Sequence, residues 1–153
     1  FDGEIRRARM TPYKAFIDTF LDKISDYKLL NYEDYLVDEL AVGYMKRVCT
    51  KFDKICQADL SQQDDNEYAF LSDEIDDEII DIVTDGMVVE WLRQYVNNSD
   101  NLENILNTKD FTMYSSKNLL AEIKSLYQDE QKAFTNSMRE YSYNHGDLSN
   151  LHL

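Results

Sequence analysis

The sequence predicts an all-α fold, a helical bundle of about four long helices plus one short helix, with an extended N-terminal arm and a C-terminal tail. Three observations predict it. Four Gly and one Pro in 153 residues leave room for long uninterrupted helices. Apolar residues recur at steps of three and four along successive stretches, the spacing of one helix face. Hydrophobic residues make up 43% of the chain, which argues against disorder and suffices for one sizeable core at this length. The reading is a basic arm at 1–10, a single helical domain at 11–143 and a tail at 144–153.

Thr11-Pro12 opens the first helix, the hydroxyl as cap and the proline at the first helical position. Tyr13, Phe16, Ile17, Phe20, Leu21 and Ile24 supply its stripe. Asn31 caps a second helix over 32–57, with Leu36, Leu40, Tyr44, Val48, Phe52 and Ile55 facing the core and Val37, Ala41, Met45 and Cys56 widening that face. Residues 58–71 break the pattern as an acidic loop, with room for a short hairpin. Ser72 or Asp73 caps the third helix, where following acids suit the positive end of the helix dipole. Ile75, Ile79, Ile82, Val83 and Met87 line one face of it. From Gly86 to Val96 apolar residues spread round the helix, which marks it as central or covered by a partner, and Gly86 reads as a point of close helix packing. A short helix through Leu102, Ile105 and Leu106 and an extended connection at 107–114 follow. Ser115 or Ser116 caps the last long helix, with Leu119, Leu120, Ile123, Leu126, Tyr127, Phe134, Met138 and Tyr141 along it.

The net charge of -14 is concentrated. Residues 1–57 balance ten cations against ten carboxylates, whereas 58–110 hold Arg93 and Lys109 against fifteen. A surface of that sign repels phosphate backbones or simply keeps the chain solvated. Cys49 and Cys56 lie seven residues apart on one helix, roughly 10 Å along its axis, too far for a disulfide. No apolar run reaches membrane-spanning length.

Catalytic chemistry finds little footing. The two histidines, His145 and His152, stand near the C-terminus, and no Glu-x-x-His occurs, so neither a metal site nor a nucleophile with its base is predicted. The stretch from Asp59 to Phe70 fails as a calcium loop, with Asp64 where glycine belongs and Phe70 where the closing glutamate belongs. No enzyme, metal or cofactor is expected. The features left over suit protein contacts. Tyr141, Tyr143, His145 and the tail leucines Leu148, Leu151 and Leu153 have too little chain around them to be buried locally. Arg6, Arg7 and Arg9 of the arm offer charge to a partner's acidic patch, or form a solvated end.

A Thr-Pro-Tyr-Lys helix leads to an acidic middle, then to Asp-Gly-Met-Val-Val-Glu-Trp-Leu at 85–92. Thr-Lys-Asp-Phe-Thr-Met-Tyr-Ser at 108–115, a long amphipathic helix and Tyr141-Ser142-Tyr143 with a polar tail complete the order. Over most of residues 11–150 this resembles the helical head-to-tail adaptor (neck or connector) proteins of tailed bacteriophages. The resemblance implies a virion structural protein made in the host cytoplasm, a ring of about twelve copies between portal and tail. An extended end would reach onto a neighbouring ring, the portal and other neck or tail proteins would be partners, and DNA would pass through without specific binding. It implies no catalytic residue, no cofactor and no membrane. The acidic loop at 59–67 and the lack of a clear hairpin depart from the family and leave open whether the ring is adaptor or stopper. An acidic channel wall lets a duplex slide, and Asp64, Asp65, Glu67, Asp73, Asp77 and Asp81 are the candidates to face it. The alternative is an acidic cytoplasmic helical interaction module or regulator that mimics DNA and binds a basic protein partner.

Overall fold

The computed structural model describes residues 10–25, 34–97 and 116–146, without the side chains of 34–37 and 116–120. The arginines of the arm, the Asn31 cap, the short helix at 102–106, the 107–114 connection and the tail leucines lie outside those residues. Four helices dominate what is described: α1 (Tyr13–Ile24), α2 (Asp34–Phe52), α3 (Asp77–Asn97) and α4 (Ser116–His145). A small antiparallel sheet joins them, β1 (Thr11–Pro12), β2 (Gln63–Asp64) and β3 (Ala69–Phe70), in the order β1-β3-β2.

Helix α3 is the hub. Helices α1, α2 and α4 each pack against it, and α1 also packs on α2. Its apolar residues on nearly every side therefore meet neighbours: Ile79, Ile82, Val83, Met87, Val88, Val89, Trp91, Leu92 and Tyr95 are all buried. Each such side chain contributes about 1.5–3 kcal/mol by leaving water. At Gly86 the approach is closest. A Cβ there would lie 2.7 Å from Val48 Cγ1 and 2.8 Å from the Phe134 ring, so the missing side chain lets α2 and α4 close on α3.

The helix starts differ from the sequence expectation. Thr11 does not cap α1; it pairs with Phe70 in the sheet, and its hydroxyl donates to the Ser72 carbonyl at 2.9 Å. The cap comes from elsewhere in the chain, since the Tyr13 N–H donates to the Tyr68 carbonyl at 2.8 Å. Ser72 and Asp73 do not cap α3 either. The Ser72 hydroxyl accepts from the Glu74 N–H at 3.1 Å in a local turn, and Asp76 caps the helix by accepting from the Ile79 N–H at 2.9 Å.

Helix α2 ends at Phe52, short of the expected 57. The Asp53 carboxylate accepts from the Leu60 N–H at 2.9 Å and turns the chain back, which carries Ala58 and Leu60 into the core. The buried face of α2 is Ala41, Tyr44, Met45, Val48, Cys49 and Phe52; Leu40 and Ile55, expected on the core stripe, are exposed at 47% and 36%. The side of α2 that meets α3 carries Arg47, Val48 and Lys51, and Ile55 lies beyond the end of the helix.

The acidic segment is folded. Gln63 pairs with Phe70 and Asp64 with Ala69, and the Asp64 carboxylate accepts from the N–H groups of Asn66 (3.0 Å) and Glu67 (3.2 Å) to form the turn. Tyr68 closes it with φ 51°, a left-handed conformation that few side chains adopt. The hairpin is anchored by Phe70, which is fully buried with ring centroids 5.0 Å from Phe16 and 5.1 Å from Tyr13.

Candidate functional site

The six expected channel carboxylates divide into two groups. Asp64 shapes the hairpin turn, as above. Asp65 accepts from the Tyr13 hydroxyl at 2.9 Å and from Lys46 at 2.8 Å, and these bonds, Lys46 first, hold its carboxyl below the usual range. Asp81 shares the Lys23 ammonium with Asp85 and the Thr84 hydroxyl, each at 2.8 Å, a tie that fastens α1 to α3. Thr84 is fully buried and also donates to the Ile80 carbonyl at 2.8 Å, so its hydroxyl is satisfied on both counts. Glu67 is exposed and has a partner of its own. Asp73 and Asp77 are exposed, as is Glu74 between them, and their carboxylates serve no contact among the described residues. The acidic character of 59–85 is thus half internal scaffold and half display, with the display at the approach to α3.

At the other end of α4 the chain fastens itself. Tyr141, expected to meet a partner, is 2% exposed: its ring stands 5.0 Å from that of Phe52, and its hydroxyl accepts from the Gln57 N–H at 3.1 Å. His145 stacks on Tyr141 with centroids 4.3 Å apart, and its Nε2 lies 3.1 Å from a Glu78 carboxylate oxygen. The Gln57 side-chain amide donates to the His145 carbonyl. These contacts fix where the tail leaves the body. Tyr143, two residues from Tyr141 and so on the opposite side of the helix, is 84% exposed. Leu148, Leu151, Leu153, Arg6, Arg7 and Arg9 lie outside the described residues.

Cys49 and Cys56 are free thiols, and burial pushes both up, Cys49 to about 12, so neither is a thiolate near neutral pH. Among the described residues no group of three or more His, Cys, Asp or Glu is arranged to hold a metal. No described helix is long and apolar enough to cross a membrane.

One cluster escapes a linear reading. Glu90, in the apolar run of α3, is buried with its side chain 3% exposed, and three cations converge on it: Arg93 at 3.3 Å, Lys51 at 3.5 Å and Arg47 at 3.8 Å. Arg93 also donates to the Tyr127 hydroxyl at 3.3 Å, which ties α3 to α4. Only a charged residue inside an otherwise apolar stretch signals such a site, and its partners on α2 are about forty positions away, beyond the reach of helical periodicity. Comparison with protein-family models, with curated proteins and with solved structures finds no match to this chain.

Proposed function

We propose that the chain is a structural subunit of a tailed-phage neck, forming a ring that joins portal to tail around the DNA channel. The observation that carries this reading is where large apolar side chains remain in water. Tyr68, 58% exposed, sits at the tip of the hairpin, and Tyr143, 84% exposed, at the last turns of α4. Tyrosine supplies wide contact area at small entropic cost, and two such residues on separate elements suit a subunit with neighbours on more than one side. The strained backbone at Tyr68 points the same way, since a left-handed tyrosine is retained where its side chain is needed. The net charge of -14, concentrated over residues 58–110, gives such a ring a surface that repels phosphate. The sequence resemblance, chiefly at 86–92 and 108–115, is the ground for naming the family.

Electron microscopy of particles from the phage genome that encodes the chain tests this. The expected result is a ring at the junction of capsid and tail whose subunit density fits α1 to α4. Particles lacking the chain, together with its capture on a basic DNA-binding protein, would replace this reading with the DNA-mimic one.

A further inference from the structure

A chain of net charge -14 carries a cationic cluster at the seam between α2 and α3, and the geometry around it is incomplete. Glu90 gathers Arg47, Lys51 and Arg93 at 3.3–3.8 Å. Closed charge-assisted hydrogen bonds run at about 2.7–2.9 Å, so the carboxylate draws the cations together without saturating their donors. Arg47 and Lys51 stay 70% and 52% exposed, their remaining N–H groups open to solvent. Burying a carboxylate between helices costs several kcal/mol unless tightly paired, so loose pairing is an odd choice for stability alone. Beside the cluster the Tyr44 hydroxyl is buried, within electrostatic range of Arg47 and Glu90 and next to the Gln94 side chain. Glu130 stands half-buried on α4 between Tyr127 and Phe134 with an interaction of its own. Counting it with Glu90, three cations still outnumber two carboxylates.

We propose that this cluster docks the acidic approach to α3, Asp73, Glu74 and Asp77, of a second copy of the chain. These three carboxylates are exposed and meet no partner among the described residues. A subunit cannot satisfy itself, because Asp77 and Glu90 are thirteen residues apart on one helix, about 20 Å along its axis. A long polyanion such as DNA would meet the whole negative field of the chain, whereas a neighbour's acidic corner meets the local patch, since fields decay over about 8 Å at physiological salt. The two surfaces differ, so the contact is head-to-tail, the kind that closes into rings. The inference rests on the ring reading above and names the surfaces that would meet.

The test measures native mass over a concentration series, with the portal protein of the same genome present. The chains compared are wild type, Asp73→Asn/Asp77→Asn and Arg47→Gln/Lys51→Gln. Both neutralised pairs are expected to weaken self-association about tenfold or more. The Asp73/Asp77 pair touches no buried group, so it keeps the test decisive if the Arg47/Lys51 pair unfolds. Rings of wild type that the Asp73/Asp77 neutralisation does not weaken overturn this inference and leave the ring reading standing. A wild-type chain that stays monomeric at every concentration beside the portal overturns both.

Discussion

Adding one methyl group at Gly86 tests how α3 holds the molecule together. The new Cβ of Gly86→Ala would stand 2.7 Å from Val48 Cγ1 and 2.8 Å from Phe134 Cε1 and Cζ, where ordinary contact begins near 3.4 Å. The neighbours must therefore retreat by about 0.6–0.7 Å. Val48 and Phe134 are buried, at 1% and 6% exposure, and have little free volume behind them. Overpacking of this kind costs about 1–3 kcal/mol, against a helix-propensity gain of about 1 kcal/mol for replacing glycine. The net expectation is a loss of up to about 2 kcal/mol, or several degrees in Tm at about 2–4 °C per kcal/mol for a chain of this size. Gly43 is the internal control. It lies in α2, exposed, and a Cβ there meets nothing within 4 Å, so Gly43→Ala should gain about 0.4–1 kcal/mol. Urea unfolding followed by helical circular dichroism and by the fluorescence of the buried Trp91 gives both values. Equal stabilisation by the two substitutions would refute the close approach of α2 and α4 at Gly86.

Asp76→Ala should cost about 1 kcal/mol in urea unfolding through loss of the α3 cap, whereas Asp73→Ala should cost far less, since Asp73 caps nothing. Burial raises the Cys49 thiol from the usual 9.0 to about 12 and, as the leading cause, the Tyr95 phenol from 10.0 to about 12. The unfolded chain ionises these groups first, so their contribution is intact below about pH 9 and drains away as pH rises toward 12. Urea midpoints should fall steeply over that interval, and a thiol reagent at pH 8 should label Cys49 only on unfolding.

Much of the helical architecture was legible because periodicity reports burial directly. The spread of apolar residues over 86–96 marked α3 as central, and Gly86 as a close approach, and both hold in the packing. What stayed hidden depends on contacts far apart in sequence. The Thr11 hydroxyl has an acceptor 61 residues away at Ser72, so a local capping rule misassigned it. The helix start moved to Asp76 because Ser72 is drawn into a turn with Glu74 beside the sheet. The acidic segment read as a loop because its strands are two residues long, too short for alternation to register. Leu40 and Ile55 fit a stripe in projection, yet α2 turns Arg47, Val48 and Lys51 toward α3 and ends before Ile55. Tyr141 looked like a surface residue near a chain end because nothing local predicts that Phe52 and Gln57 would enclose it.

On the proposed reading this chain acts through the surfaces it offers to its own kind and to a portal. Native mass spectrometry of the wild-type protein, alone and with a portal, decides the matter. A closed oligomer of defined copy number is expected once the portal is present. A single-subunit mass under every condition, portal included, would contradict it.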